Sequence, residues 1–531
     1  MSQPAIKQFN TAGPCVSAKH YMLPVLPRQS EVHDMINGEY YFVLHAPRQS
    51  GKTTFLKALT ANINYLGQMY ALYCSLEICQ GVTEVDLAMT YIAGQINESL
   101  KDSDIENLAS LALPSDCLPN LMASLKISSE LKRLSVNLDK DLIVFFDEAD
   151  CLTDAPLITF LRQIRLGYNN RFDSPASKFP RSLALVGMRD IRDYLVQARL
   201  GLDSKGLASP FNIKKDALTL ANFTREDIQT LYHQHTEASG QIFDDLAIDR
   251  VWYWSEGQPW LVNALAYEAV VKISKNNYSQ TITGDIIDQA AQASILRQDT
   301  HLDSLLERLK EPRVRRVIEP VFLGLPRWPK DVMGDDKRYA LDLGLLKIEN
   351  GIYTPANPIY QEVIARALSE SYLDGLPPDL ANRWMDGKTL NMTGLLKGFQ
   401  EYWRENSEFL ESPIDYNESI ALMTLYAYLQ RVLNGGAELH REHALQRMRV
   451  DLFARYNGVS YPVELKIKGL DKFIDLKMRD SKKQLRSYID KCGAKEGWLV
   501  IFDKDTDKRW EDKISWETIE FEGAIIHIVG C

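Results

Sequence analysis

Gly51, Lys52 and Thr53 follow one another in the stretch YYFVLHAPRQSGKTTFLKAL, Tyr40 to Leu59, and residues of these types in this order are suited to holding a chain of phosphates. A glycine lets the backbone approach phosphate oxygens, while successive N–H groups and a helix N-terminus offer them partial positive charge. A lysine in this place reaches the β and γ phosphates, and a threonine hydroxyl goes to Mg²⁺. The loop Ala46, Pro47, Arg48, Gln49, Ser50, Gly51, Lys52, Thr53 and Thr54 is therefore the candidate cofactor-binding segment, with ATP and Mg²⁺ as its cofactors. Ala46 stands where the usual GxxxxGK[ST] pattern has its first glycine, and alanine makes that turn with less freedom. A chance GKT on a surface turn is the alternative.

Two acids further along complete such a site. Asp147 and Glu148 close the run DLIVFFDEAD, where Asp147 would hold Mg²⁺ through water and Glu148 would orient or activate the water that attacks the γ phosphate. A third set lies far downstream: Asp451 in RVDLF, then Glu464 and Lys466 in VELKI. Glu464 and Lys466 are two apart on a strand and project to one face. Joined to Asp451 across a tight turn, they would form a Mg²⁺ or Mn²⁺ site with a built-in cation, suited to phosphodiester hydrolysis. An exposed E-x-K ion pair is the bland reading, but the apolar flank of this strand makes two solvated charges on it costly.

These residues need elements to carry them. YYFVLH reads as a strand and FLKALTANINYL as a helix, so the glycine loop has a strand before it and a helix after it. DLIVFF has the composition of a parallel strand buried on both faces. SLALVGMRD, Ser182 to Asp190, supplies a third strand, whose end offers Arg189 and Asp190 as γ-phosphate sensors to test, a surface salt-bridge partner being the commoner reading of such an arginine. The region from about 221 to 300 reads helical, with a Thr-x-x-Asp cap in NFTREDIQTLYHQH and with Gly257 and Pro259 punctuating two helices. LLKIENGIYTPAN reads as a hairpin turning at Asn350-Gly351. Tyr372 to Met392, with a Pro-Pro pair and no clear period, reads as a linker. Beyond about 395 the order is helix, helix, three strands with a turn at Asn457-Gly458, helix, strand.

The chain has 531 residues, 45% hydrophobic and 25% charged, room for roughly three to four domains. No apolar run reaches the roughly 20 residues of a membrane span, and the N-terminus has no signal-like pattern, so the expectation is a cytoplasmic protein with no membrane partner. Seven scattered cysteines, none spaced as CxxC, argue against a zinc ribbon or a disulfide framework. The net charge of -10 means that nucleic acid must be met by local basic patches. Lys466, Lys468, Lys472, Lys477, Arg479, Lys482, Lys483 and Arg486 form one such cluster beside the downstream acids, although a solvated helix face would also be basic.

FNTAGPC, HYMLP, HAPRQSGKTT, LIVFFDEAD, SPFNI and GQPWLVNAL together resemble the bacterial AAA-like ATPases close to the STAND and archaeal-type ATPases, over the first 370 residues or so. The resemblance implies an α/β fold: a P-loop doubly wound parallel sheet (1–220), a helical lid holding the Gly257-Gln258-Pro259 turn (221–300) and a winged helix (301–372), then the linker (373–394). It also implies a possible homo-oligomer. The segment 395–531 resembles the PD-(D/E)xK nucleases, which implies a C-terminal α/β restriction-endonuclease-like domain. On that resemblance Asp451, Glu464 and Lys466 are the motif residues, Glu418 matches the glutamate of the first core helix, and Gln484 matches a polar residue on the helix after the core, with Tyr488 one turn along. Val450 replaces the proline that gives the motif its name. The catalytic candidates are thus Glu148, Asp451, Glu464, Lys466, Glu418 and Gln484, and the metal-holding ones Thr53, Asp147, Asp451 and Glu464. The expected activity is an ATPase whose nucleotide state gates a Mg²⁺- or Mn²⁺-dependent nuclease in nucleic-acid defence, antiviral defence included, or processing, with DNA ahead of RNA as the partner. The alternative is a STAND-like regulator or scaffold whose C-terminal domain binds nucleic acid or a partner without cutting.

Overall fold

A computed structural model describes residues 6–24, 30–114, 121–188, 214–297, 300–322, 332–373, 389–410, 424–426, 428–429, 438–445, 448–468, 474–503 and 508–531. They fall into two compact units, Met1–His301 with Gly334–Lys347 and Leu302–Met333 with Ile348–Cys531. Among the described residues, no helix is long and apolar enough to cross a membrane.

In the first unit β1 (Tyr41–His45), β2 (Tyr70–Ser75), β3 (Leu142–Asp147), β4 (Ser182–Gly187) and β5 (Lys214–Thr219) form an all-parallel sheet in the order β2-β3-β4-β1-β5. The period of two along each strand feeds two cores. Tyr41 and Val43, with Val144, Phe146 and Leu185, pack against the helices Val85–Lys101, Ala123–Asn137 and Asp154–Asn170. Phe42 and Leu44, with Ile143, Phe145 and Val186, meet Phe55, Leu56 and Leu59 of the helix Lys52–Leu66. Burial on both faces is why these strands read as unbroken apolar runs, each large side chain contributing about 1.5–3 kcal/mol. Parallel strands bring their C-terminal ends to one edge, where Ala46 donates its N–H to Gly187 O at 3.2 Å.

The helices Arg225–Ser239, Asp245–Ser255 and Pro259–Tyr267 follow. Thr224 and Asp227 close a reciprocal capping box, with Asp227 N 3.1 Å from Thr224 Oγ1 and Thr224 N 2.9 Å from Asp227 Oδ2. At Gly257, φ is 74° and a Cβ would lie 1.9 Å from Phe223 O, so only glycine fits. Gly257→Ala is expected to destabilise this unit by about 3 kcal/mol, read from the midpoint of urea unfolding. An unchanged midpoint would contradict the turn geometry.

A hairpin, β6 (Leu346–Glu349) and β7 (Ile352–Pro355), turns through Asn350 and Gly351 at φ 52° and 80°, the left-handed pair that a two-residue turn requires. Residues 374–388 of the expected linker lie outside the described residues.

The second unit holds a mixed sheet of β8 (Glu438–Leu445), β9 (Met448–Tyr456), β10 (Val459–Lys468), β11 (Glu496–Asp503), β12 (Ser515–Phe521) and β13 (Ala524–Gly530), in the order β12-β13-β11-β10-β9-β8. β8, β9 and β10 form an antiparallel meander, and β10, β11 and β13 run parallel. The β9–β10 turn is Asn457-Gly458, at φ 47° and 78°. Helix Ile474–Cys492 makes the crossover from β10 to β11 and buries Leu485, Tyr488 and Ile489 against Phe453, Leu499 and Ile526. On the opposite face, Leu452, Val463, Leu465 and Trp498 meet Leu395, Leu396, Phe399 and Trp403 of helix Met392–Leu410.

Candidate functional site

The loop after β1 leaves buried Ala46, passes Gln49 at φ 58°, and enters the helix through Gly51 at φ 86° and ψ 16°. Ala46 does not take a positive φ, so this first position makes its turn without glycine. Lys52 folds back over the loop, and its Nζ donates to Ala46 O and Pro47 O at 2.7 Å each. Burial pushes its ammonium down to about 8, against the upward pull of Asp147, Asp150 and Glu148.

At the end of β3, Asp147 is 1% exposed and its Oδ2 accepts from Thr53 Oγ1 at 2.7 Å. A hydroxyl and a buried carboxylate held together in this way fit a hard divalent cation. Glu148 has φ 56° and takes the hydroxyl of Ser75 on Oε2 at 3.2 Å. Its carboxyl is held above the usual range by burial first, then by Glu77 and Asp147. Asp150 lies against the end of β4, where a Cβ on Gly187 would come within 2.9 Å of its Oδ1. Sequence reasoning brought Thr53, Asp147 and Glu148 forward; it missed Asp150, Tyr73 and Ser75. The polar residues alternating at the end of β2 are the signal that could have found the last two.

The mouth of the loop is lined from two further directions. Gln258, which caps the helix Pro259–Tyr267, donates to Gln49 O at 3.4 Å, and a Cβ on Gly344 would come within 2.6 Å of Pro47. Residues 8–21 close into a strap whose ends pair through Gln8 and His20. Its tip reaches the loop's helix, where Cys15 N donates to Thr54 Oγ1 at 3.0 Å, and the helix Pro259–Tyr267, where Trp260 Nε1 donates to Thr11 O at 2.9 Å. Its base is set by Phe9 and Tyr21 among Tyr232, His235 and Phe243, with Tyr21 Oη 3.0 Å from His235 Nδ1. FNTAGPC, Phe9 to Cys15, lies in this strap, and HYMLP begins at its end with His20 and Tyr21. Arg189 and Asp190 lie outside the described residues.

In the second unit, alternation along β9 and β10 brings Asp451, Glu464 and Lys466 to one face of the sheet, the face packed by helix Ile474–Cys492. Lys466 Nζ is 3.2 Å from Glu464 Oε1 and 3.9 Å from Asp451 Oδ2, and the backbone N–H of Leu465 donates to Asp451 Oδ2 at 2.7 Å. Glu464 is 1% exposed, and its Oε2 finds no hydrogen-bond partner among the described residues. Burial, then Asp451, push its carboxyl up to about 7 against the opposing pull of Lys466. An orphaned, buried carboxylate oxygen beside a second carboxylate fits a divalent cation, which would relieve both charges.

Gln484 is exposed on the crossover helix, while Tyr488 is buried beneath it. Glu418 lies outside the described residues, as do the side chains of Lys468, Lys472, Lys477 and Arg479. Arg486 is engaged by Glu522 O at 2.8 Å and by Asp490 at 3.3 Å, so less of the basic cluster is available than its count suggests. Among the described residues, no group of three or more His, Cys, Asp or Glu gathers as a metal site, and the two acids and the lysine stand as the candidate.

No family model and no curated protein matches the chain. Among solved structures it is similar to a Walker-type ATPase of Pyrococcus abyssi, at 14% identity and a TM-score of 0.44, over 67% of this chain and 99% of that one. The ORC2 protein of Aeropyrum pernix, in ADPNP–ADP complexes, is similar at 12% identity and 0.37, over 65% and 95%. The RuvB Holliday junction branch migration motor of Thermotoga maritima is similar at 14% and 0.34, over 64% and 99%. Likeness at this level does not carry a function across.

Proposed function

We propose that the chain is a P-loop ATPase whose nucleotide state gates a divalent-metal-dependent nuclease of the PD-(D/E)xK kind. The observation that carries the cutting half is the convergence of Asp451, Glu464 and Lys466 on one face, with Glu464 buried. The meander β8-β9-β10, the helical crossover and the parallel β11 support a restriction-endonuclease-like core at 395–531. The glycine loop, with Thr53 and Asp147 in contact at the edge of a parallel sheet, supports ATP binding and hydrolysis in 1–220, followed along the chain by a lid at 221–300 and a winged helix at 301–372.

Lys52 leaves the carbonyls of Ala46 and Pro47 to bind the β and γ phosphates, and Glu148 accepts the proton of the attacking water. Thr53 and Asp147 would hold the Mg²⁺ of the triphosphate, and Asp451 and Glu464 would hold Mg²⁺ or Mn²⁺ at the second site. Such a cation supplies Lewis-acid polarisation of a phosphoryl oxygen and neutralises charge. Lys466 orients the incoming water and steadies the charge that develops on the phosphodiester. Gln484 and Glu418 are assigned to the same site. The partner is nucleic acid, DNA ahead of RNA, and the setting is defence or processing.

The test incubates the protein with a panel of single- and double-stranded DNA and RNA, with and without Mg²⁺ or Mn²⁺. Divalent-dependent cleavage of at least one substrate is expected. Binding with no cleavage under any condition would leave a nucleotide-switched regulator instead. A pH dependence follows from Lys52: its ammonium is lost above about 8 in the free protein, and only the charged form attracts phosphate. Affinity for a fluorescent ATP analogue should therefore fall from pH 8 to 9 by up to about tenfold, whereas a flat profile would remove Lys52 from the phosphates.

A further inference from the structure

β2 lies beside β3 with Tyr73 opposite Phe145 and Ser75 opposite Asp147. Tyr73 thus reaches the metal-holding acid from a strand that carries no recognised phosphate-binding motif. Its hydroxyl donates to Asp147 Oδ2 at 3.0 Å, the same oxygen that accepts from Thr53 at 2.7 Å. The other oxygen, Oδ1, accepts the N–H of Glu148 at 3.0 Å. A carboxylate that is 1% exposed would otherwise lose solvation with little in return, so these three donors fix its orientation.

They are not equivalent once a cation arrives. Thr53 Oγ1 would then serve the cation, and the Glu148 N–H is tied to a backbone conformation at φ 56°. Tyr73 is the donor whose ring is anchored outside the loop, on β2. Its ring packs against the core that holds Phe42 and Phe145, and Lys57 Nζ lies 5.3 Å above its centroid.

We propose that Tyr73 is a positioning residue for Asp147, setting the affinity of the nucleotide site for its divalent cation. This rests on the reading of the glycine loop as an ATP site. Tyr73→Phe keeps the ring and removes the oxygen alone.

The experiment measures binding of N-methylanthraniloyl-ATP by fluorescence, first in EDTA and then as Mg²⁺ is titrated in, for the wild type, Tyr73→Phe and Lys52→Ala. Metal-free affinity of Tyr73→Phe should match wild type within about twofold, while the Mg²⁺ half-saturation rises about tenfold, the usual size of an outer-shell effect on a metal. An unchanged Mg²⁺ midpoint overturns the proposal and leaves the ATP site standing. Equal weakening with and without Mg²⁺ also overturns it, because a structural role alone moves both. Wild-type protein that binds no nucleotide, or binds it no better than Lys52→Ala, removes the ATP site and this role of Tyr73 together.

Discussion

Asp451→Asn is expected to lower divalent-dependent cleavage of nucleic acid by about 10³-fold while ATP hydrolysis stays at the wild-type rate. The substitution preserves shape and removes the charge that a cation would meet beside Glu464. Glu464→Gln should match it in cleavage and differ usefully in stability. The Glu464 carboxyl is raised to about 7 by burial and by Asp451, so its ionised form is disfavoured in the fold. Stability from this group is full below the ordinary carboxylate pKa and is lost as pH rises through 7. Glutamine removes that penalty, and its thermal midpoint at pH 8 should equal or exceed the wild type. Loss of cleavage together with loss of the fold would count against a metal-holding role; loss of cleavage in a fully stable protein supports it. Initial rates on a labelled substrate and a thermal melt decide between the two.

Glu148→Gln should reduce ATP hydrolysis by about 10²- to 10³-fold, with affinity for a fluorescent nucleotide changed by no more than a few-fold. Glu148 sits just beyond β3, and its carboxyl takes the hydroxyl of Ser75 on Oε2. Its work is therefore on the water, which shows in the rate constant and not in binding. Phosphate release and nucleotide titration separate these. A large loss of affinity would move Glu148 from water activation to the support of the loop.

Much of this architecture can be read from local pattern because the physics is local. The runs around Phe42 and Phe145 are buried on both sides and need no partner to be recognised. Thr224 with Asp227, and Asn457 with Gly458, are decided within four residues by hydrogen bonding and by backbone freedom. The convergence of Asp451 with Glu464 follows from the register of one hairpin. What stayed hidden depends on the fold as a whole. The hairpin β12–β13 turns at Glu522-Gly523, a weak turn signal, and β13 enters the sheet beside β11 only because Ile526 and Ile528 complete a core built by the crossover helix. The strap from Gln8 to Tyr21 earns its contacts with Thr54 and His235 across long stretches of chain, and nothing in its own sequence points there. Tyr73 is hidden for a similar reason, since its role exists only once β2 lies beside β3.

The most direct test is the initial rate of phosphodiester cleavage at fixed Mg²⁺ with ATP and without nucleotide, for the wild type, Lys52→Ala and Asp451→Asn. Two linked sites predict a rate that changes at least about tenfold with ATP in the wild type, loses that dependence in Lys52→Ala, and vanishes in Asp451→Asn. Cleavage that persists in Asp451→Asn, or a wild-type rate indifferent to ATP, would contradict a nucleotide-gated nuclease.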